Sequence, residues 1–399
     1  MAIYLKKFDN HSQYEAFTAT TEFILPNVSY CVQEDDVHYN PSEEPHHDYS
    51  QDYLTFTALE NGTFRLSGNS VSYSLDDGAT WTTLASDTNS PTVNSGNKII
   101  LKGELVPQSS KGIGRFSSTG KFEAQGNPMS LRYGDDFKGQ TSLEENYYTF
   151  YGLFSGCTKL ESAENLSLPA TTLSNGCYGS MFYGCTSLTA APILSATTLA
   201  ESCYGHMFDS CTSCTTAPEL PATTLAFSCY DYMFKGCTSL TTTPELPATT
   251  LANYCYQYMF NGCTSLTTAL ELPATRLADY CYRYMFSGCT SLTTAPTICA
   301  TTMAANACTS MFNGCTSLTT APELSATTLA SYCYRYMFSG CTSLNYIKCL
   351  ATNKSAINCT QNWVSSVAST GTFVKAASMT SWPSGDSGIP NDWTVQDVS

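Results

Sequence analysis

CTSLTTTPELPATTL, residues 237–251, is the stretch that decides the fold of this 399-residue chain. It recurs with few changes, and successive copies begin 26 residues apart, except for 28 residues between the first two. Because one unit of this length cannot bury its own apolar face, the fixed period predicts a solenoid of stacked repeats. The copies begin at Cys157, Cys185, Cys211, Cys237, Cys263, Cys289, Cys315 and Cys341.

The first half of each repeat has a helix-like periodicity. In residues 225–237, apolar side chains recur every four positions, as on one face of a helix, and hardly change between copies. A second stripe with the same spacing, Phe227, Asp231 and Lys235, changes freely. We therefore predict a helix that ends at Gly236, with the constant face inward and the variable stripe in solvent. The inward residues are Leu225, Cys229, Met233 and Cys237.

The second half of each repeat predicts a strand. Leu240 and Leu246 are an even number of residues apart, so they share one face of a strand over residues 240–246. Pro244 limits the regular hydrogen bonding of that strand. The repeats are thus assigned to the α/β class, as a solenoid of 26-residue strand-plus-helix units.

The segments around the repeats differ in composition. Short alternating runs such as YLTFTAL, and the turn signal Asp77-Gly78, predict a small all-β, sandwich-like domain. The end of the chain departs from the repeat, and Ile389 and Trp393 are expected to anchor it as a cap. The predicted organisation is an N-terminal attachment segment and acidic linker (1–50), the all-β domain (51–150), the solenoid (151–345) and the C-terminal cap (346–399).

Composition excludes several classes of function. The net charge of −15 and pI near 4.6 argue against nucleic-acid binding, which needs clustered Lys and Arg. The sequence contains no run of about 18 apolar residues, so no membrane span is predicted. Residues 1–17 lack the apolar core of a signal peptide. We therefore expect synthesis and folding in a reducing cytoplasm.

The 20 cysteines favour packing over chemistry. Most recur at two repeat positions, and the repeat supplies no recurring histidine to complete a metal site. Disulfide frameworks are typical of small secreted domains, so we interpret these thiols as small buried hydrophobes. No metal or other cofactor is predicted.

FSGCTSL, residues 286–292, resembles the BspA-like, or Treponema pallidum-type, leucine-rich repeat. The resemblance covers about half of the chain, although the 26-residue period is longer than the usual unit of that family. Some copies depart from the pattern, at Cys214, Leu270 and Ala307-Cys308. The resemblance implies a binding protein of the leucine-rich-repeat class.

The flanking segments have a resemblance of their own. Residues 11–41, 73–85 and 387–397 look like segments that recur in proteins of gut Bacteroidales and their phages, several of them virion-associated. This resemblance implies a virion component that other virion proteins hold through the N-terminal segment.

Two sets of recurring polar residues are candidate binding positions. An acidic row beside a threonine row would suit a cation or a polyhydroxylated ligand such as a glycan; the alternative is a solvated acidic edge. Tyrosines on the other half of the repeat would suit a protein or sugar partner; the alternative is packing between units. The rows are Glu219, Glu245, Glu271 and Glu323; Thr241, Thr267 and Thr293; and Tyr232, Tyr258, Tyr284 and Tyr336, with Tyr254, Tyr280 and Tyr332 beside them.

No catalytic motif stands out. The chain has no GxSxG, HExxH or Walker sequence, and His38, His46 and His47 lie in the acidic linker without metal-ligand spacing. We therefore expect no catalytic residues and no enzyme activity.

The sequence thus predicts a non-enzymatic phage virion protein, a fibre, tail or decoration component that binds a host-surface glycan or protein through the solenoid. Self-association is also left open. The alternatives are a bacterial cell-surface or secreted adhesin of the BspA-like class and a polysaccharide depolymerase.

Overall fold

The computed structural model describes residues 47–108, 111–144 and 146–398, together with the backbone of two paired strands, β1 (Lys7–Phe8) and β2 (Cys31–Val32). Contacts divide the chain into two compact units, Met1–Asp48 and Tyr49–Ser399. Apart from these two strands, the predicted attachment segment and most of its linker, including His38 and His46, lie outside the described residues. The account below concerns the second unit.

Two sheets form the first part of this unit, and phenylalanines pack between them. The larger sheet has the order β10-β9-β3-β7-β5-β6, and the smaller one pairs β4 with β8. The Phe56 ring lies 5.2 Å from that of Phe64 and 5.0 Å from that of Phe116, centroid to centroid. The strands are β3 (Leu54–Ala58), β4 (Phe64–Ser67), β5 (Val71–Ser74), β6 (Thr82–Leu84), β7 (Lys98–Lys102), β8 (Arg115–Ser118), β9 (Phe122–Gln125) and β10 (Leu160–Ser162).

The alternating runs and the hairpin predicted here are confirmed. β5 and β6 pair antiparallel from Val71 with Leu84, and Asp77 and Gly78 both have positive φ at the turn between them. β10, from the start of the repeats, pairs parallel with β9, so the sheet continues into the first repeat. The division into separate domains near residue 150 stays a prediction.

The helix predicted in each repeat is wrong. The single α-helix among the described residues is α1 (Ser130–Tyr133), followed by a 3-10 helix at Gly134–Phe137; another 3-10 helix spans Tyr49–Gln51. No helix in this part of the chain has the length and apolarity of a membrane span. Residues 227–236 form consecutive turns instead.

These turns follow a four-residue rule. The N–H groups of Met233 and Cys237 donate to the carbonyl oxygens three residues earlier, at 3.2 and 3.1 Å. Ser228, Tyr232 and Gly236 have φ of 50°, 57° and 70°. Each is the third residue of its turn, where a type II turn requires positive φ. Successive turns of this kind begin four residues apart, so their side-chain pattern resembles the 3.6-residue period of a helix.

The intervening amides join one repeat to the next. The N–H groups of Tyr230, Tyr232 and Phe234 donate to carbonyl oxygens 25 residues later, at 3.1, 2.8 and 2.9 Å. The amides of this segment thus alternate between the turn and the neighbouring repeat, which satisfies the backbone without helix or continuous sheet.

The strand predicted at residues 240–246 is reduced to isolated parallel bridges, such as Thr242 with Thr268 and Thr268 with Thr294. Pro244 has no N–H with which to continue a ladder. The inward orientation predicted for Leu240 and Leu246 is confirmed, since these side chains are 0% and 4% exposed.

The core of the repeats is a set of side-chain columns. Phenylalanine rings stack 5.4–5.7 Å apart from Phe182 to Phe338. The predicted burial of the repeat cysteines is confirmed, whereas Cys299 is partly exposed.

A parallel three-stranded sheet ends the described chain. It consists of β11 (Tyr346–Cys349), β12 (Thr372–Ala376) and β13 (Thr394–Val398). Trp393 is buried and donates from Nε1 to the Ala368 carbonyl oxygen at 2.8 Å, while Ile389 packs partly buried against the core. Residues 357–366 form turns.

Candidate binding surface on the stacked repeats

Two rows of tyrosines project from the turns of successive repeats. We call the surface formed by these rows and the residues between them the tyrosine face. The first row contains Tyr232, Tyr258, Tyr284 and Tyr336, and the second contains Tyr254, Tyr280 and Tyr332. All seven have φ between 54° and 62°. Positive φ is uncommon for bulky residues, so the stacking of the coils holds these side chains in position.

Rings at neighbouring positions of a row stack face to face wherever both positions hold a ring. In the first row the centroids of Tyr232 and Tyr258 are 4.5 Å apart, and those of Tyr258 and Tyr284 are 4.6 Å apart. His206 extends this row, with its ring 4.4 Å from that of Tyr232. In the second row Tyr254 and Tyr280 are 4.7 Å apart. The tyrosines therefore pack between units, as one interpretation predicted, and they also remain half-exposed, as binding requires.

The hydroxyls of Tyr232 and Tyr258 are hydrogen-bond donors at neutral pH. Partial burial, more than any neighbouring charge, raises the pKa of Tyr232 to about 12. Burial also raises the pKa of Tyr258. The row therefore presents ring edges and protonated hydroxyls, a combination suited to protein and sugar partners.

A middle row of polar side chains lies between the two tyrosine rows. It contains Asp231, Gln257, Arg283 and Arg335, and it belongs to the variable stripe that was expected to face solvent. That expectation is wrong for these positions: Gln257 is only 8% exposed, and the others are half-buried. The flanking tyrosines cover the middle of the stripe, while Phe227 at its edge is 45% exposed.

Several atoms of the middle row are buried without a hydrogen-bond partner. They are Asp231 Oδ1, Gln257 Oε1, Arg283 Nε and Arg335 Nε. Buried polar atoms of this kind are costly unless a ligand or water satisfies them. Burial also raises the pKa of Asp231 to about 8, partly offset by the side chain of Gln257. This row, which the variable sequence stripe obscured, gives the face its polar recognition groups.

The arginines of the middle row lie against tyrosines on both sides. The Arg283 guanidinium carbon is 5.5 Å from the Tyr280 ring centroid and 5.2 Å from that of Tyr284. Arg335 is placed in the same way, 5.6 Å from Tyr332 and 4.9 Å from Tyr336. Cation–π contact fixes the two positive charges in the face.

The acidic row lies on a different part of each repeat. Glu219, Glu245, Glu271 and Glu323 are all exposed. Glu323 pairs with Lys348 at 2.8 Å, and Glu271 accepts a hydrogen bond from Cys299 Sγ at 3.1 Å. Within the described residues, no group of three or more His, Cys, Asp or Glu side chains is placed to hold a metal ion.

The threonine row is tied to the backbone. Thr267 Oγ1 donates to the carbonyl oxygen of Thr241 at 3.4 Å, and Thr293 Oγ1 donates to that of Thr267 at 3.2 Å. These hydroxyls therefore connect each repeat to the preceding one by a hydrogen bond.

Sequence reasoning missed a pairing of His206 with Asp209, three residues apart. His206 Nδ1 is 2.9 Å from Asp209 Oδ2, and Ser210 Oγ donates to Asp209 Oδ1 at 2.8 Å. Since the serine bonds to the carboxylate instead of the imidazole, the trio is not arranged to activate a hydroxyl nucleophile.

Comparison with protein families gives one match. Residues 145–255 and 228–360, together more than half of the chain, match the family described as BspA type Leucine rich repeat region, in 6 copies. Comparison with curated proteins and with solved structures gave no significant match.

Proposed function

Because the chain belongs to the BspA-type leucine-rich repeat family, we propose that it is a non-enzymatic adhesion protein that binds a surface glycan or protein through the tyrosine face. The observation that carries this proposal is the pair of stacked, half-exposed tyrosine rows around a row of unsatisfied polar atoms. Tyrosine supplies contact area at low conformational cost, and arginine supplies charge and hydrogen bonds.

The tyrosine face is a better candidate than the acidic row. Most of its tyrosine rings stack on a ring of a neighbouring repeat, so little ordering is needed on binding. The carboxylates of the acidic row are exposed, and Glu323 already has a cationic partner.

We further propose that the protein acts on a phage particle, as a fibre, tail or decoration component. Support for this comes from the resemblance of residues 73–85 and 387–397, as well as residues 11–41, to virion-associated segments. The alternative carrier is a bacterial cell surface, which is typical of proteins with this repeat. Mass spectrometry of purified particles, alongside antibody labelling of intact cells, tests the two carriers: detection only on cells overturns the virion assignment.

Adhesion itself is tested with the full chain, fluorescently labelled, on intact bacterial cells. The variant Tyr258→Ser/Tyr284→Ser should bind at least 10-fold more weakly. Serine already occupies this repeat position with positive φ at Ser310, so the variant keeps the fold.

Glu245→Gln/Glu271→Gln changes the same two repeats on the acidic row and should bind normally. Loss of binding only in this control would move the site to the acidic row. Absence of binding by the unchanged chain would overturn the adhesion proposal, and release of shortened glycan would indicate a depolymerase.

A further inference from the structure

The two tyrosine rows are both interrupted at one repeat. Asn306 takes the place of a tyrosine in the second row, Ser310 takes its place in the first, and Thr309 lies between them. The backbone is continuous through this point: the Tyr284 N–H donates to the Thr309 carbonyl oxygen at 2.9 Å, and the Ser310 N–H donates to that of Arg335 at 2.8 Å. The interruption therefore affects only the side chains: tyrosines are missing from one repeat, while the backbone stack continues through it.

The two sides of the gap are alike. On one side Arg283 lies between Tyr280 and Tyr284, and two repeats further on Arg335 lies between Tyr332 and Tyr336. Each side is thus a Tyr-Arg-Tyr layer. We call the space between the two layers the ring slot, with Asn306, Thr309 and Ser310 as its floor.

The ring slot has the width of one inserted ring. Coils stacked about 4.8 Å apart place the two layers about 9.6 Å from each other. A ring in the slot would lie about 4.8 Å from each layer, within the 4.5–7 Å range of stacked ring pairs. Thr309 is 5% exposed and Ser310 is 2% exposed, so neighbouring groups cover both residues, and a guest ring contacts the tyrosine and arginine side chains above them.

The chemistry of the slot selects the kind of ring. Two fixed guanidinium groups give it positive charge on a chain whose net charge is −15. Asp279, the acid at the rim, already accepts the N–H of Ala305 at 2.9 Å. Thr309 Oγ1 already donates to the carbonyl oxygen of Tyr332 at 2.7 Å, so the partly exposed amide of Asn306 is the polar floor group that suits a guest with its own hydroxyl groups.

We propose that the ring slot binds an acidic sugar residue, of the uronic acid class, in a surface polysaccharide. The tyrosine rings contact the faces of the sugar ring, and Arg283 and Arg335 pair with its carboxylate or with that of the adjacent residue. This inference rests on the proposed adhesive function and names its ligand class.

The full chain tests this proposal with polygalacturonate as the acidic probe and dextran as the neutral one, by calorimetry or biolayer interferometry. The unchanged chain should bind polygalacturonate at least 10-fold more tightly than dextran, and the difference should shrink with salt. Equal binding of both polymers, or of neither, overturns the proposal.

Filling the slot is the decisive variant. Asn306→Tyr/Ser310→Tyr restores the residues found at these positions in neighbouring repeats, whose φ values of 54–62° match those of Asn306 and Ser310. The variant should therefore fold, as circular dichroism would verify, and should lose at least 10-fold in affinity for polygalacturonate. Unchanged affinity overturns the slot as the site.

The charge is tested by Arg283→Gln/Arg335→Gln, since glutamine occupies the equivalent position at Gln257. Affinity should fall at least 10-fold, while Arg276→Gln, at an exposed position away from the slot, should change it less than 2-fold. Equal losses in both would show a general charge effect and overturn the proposal.

Cell binding, measured in parallel, separates the two levels of inference. Adhesion without polygalacturonate binding overturns the slot proposal and leaves the adhesive function standing. Polygalacturonate binding that the filled slot abolishes, without adhesion to any cells, supports the slot and overturns the adhesive function.

Discussion

Cys263 Sγ donates a hydrogen bond to the carbonyl oxygen of Phe234, which lies 29 residues earlier in the chain and 3.1 Å away. The same oxygen accepts the N–H of Cys237 within its own turn. This bond recurs at the equivalent cysteine of each repeat from Cys185 to Cys341. The thiol thus acts as a small core side chain that also joins neighbouring repeats.

Thiol reactivity should follow this burial. Burial raises the pKa of Cys289 to about 12, which leaves almost no reactive thiolate at neutral pH. Cys299 is partly exposed, although its hydrogen bond to Glu271 raises its pKa as well. Among the described cysteines of the native protein, Cys299 should react fastest with a disulfide reagent. Cys299→Ala should abolish that fast labelling. Labelling of the unchanged chain should rise several-fold on denaturation, and rapid native labelling of the repeat cysteines would contradict the buried columns.

Gly288 is required by its backbone conformation. Its φ is 77°, and an added Cβ would meet the Cα of Gly262 at an ordinary 3.6 Å, so the cost of a side chain comes from φ alone. Gly288→Ala should lower the free energy of unfolding by about 1–2 kcal/mol. Gly205 has no positive φ and occupies the position of Gln257 and Arg283, so Gly205→Ala should be neutral. Denaturant unfolding compares the two variants, and equal effects would contradict this explanation.

Asp231 should make stability depend on pH. Burial raises its pKa from 3.8 to about 8 in the folded chain, so folding favours the protonated form. The protonated carboxyl therefore contributes to the free energy of unfolding in full below pH 4, and this contribution is lost as the pH rises through 8. Each unit of pKa shift corresponds to about 1.4 kcal/mol. Asp231→Asn should therefore gain stability relative to the unchanged chain between pH 5 and pH 8.5, as measured by unfolding at each pH.

Since imidazole groups ionise in the same range, His206→Ser provides the control. It should retain the pH dependence due to Asp231. If the dependence disappears with His206 instead, the assignment to Asp231 is wrong.

Tyr258 should contribute more to stability than Tyr336. Tyr258 stacks on a ring at each side, at 4.5 and 4.6 Å, and each aromatic pair contributes about 0.5–1.5 kcal/mol. Tyr258→Ser should thus lower the free energy of unfolding by about 1–3 kcal/mol. In its row Tyr336 has Ser310 and Asn362 as neighbours, so Tyr336→Ser should cost less. Equal costs in chemical unfolding would show that stacking contributes little.

The repeat sequence predicted what lies inside the stack but not how the backbone places it there. The inward side chains of Leu240, Leu246 and the repeat cysteines follow from their constancy between copies within the chain. The predicted helix was wrong because successive turns begin four residues apart, a spacing of side chains that cannot be distinguished from a helical turn. The positive φ of Ser228, Tyr232 and Gly236 distinguishes these turns from a helix. Glycine in a sequence indicates that positive φ is possible, whereas serine or tyrosine does not.

The candidate site was predictable only in part. The tyrosine rows were identified from their recurrence, and the choice between packing and binding required the ring distances. The middle row was assigned to solvent because Asp231, Gln257 and Arg283 differ from one another. Ala307-Cys308 departs from the repeat pattern in the sequence, but the gap at Asn306 and Ser310 can be interpreted only when the tyrosine rows on each side are known to stack.

The amides that bond from one repeat to the next have an evolutionary consequence. Each coil makes these bonds only with the coils beside it, at an offset of 25 residues. An in-frame duplication or deletion of one 26-residue unit would therefore preserve every remaining bond while moving the two ends of the stack relative to each other. The length of the stack, and the position of the Asn306 gap along it, can therefore change in steps of one coil without any change in how each coil folds.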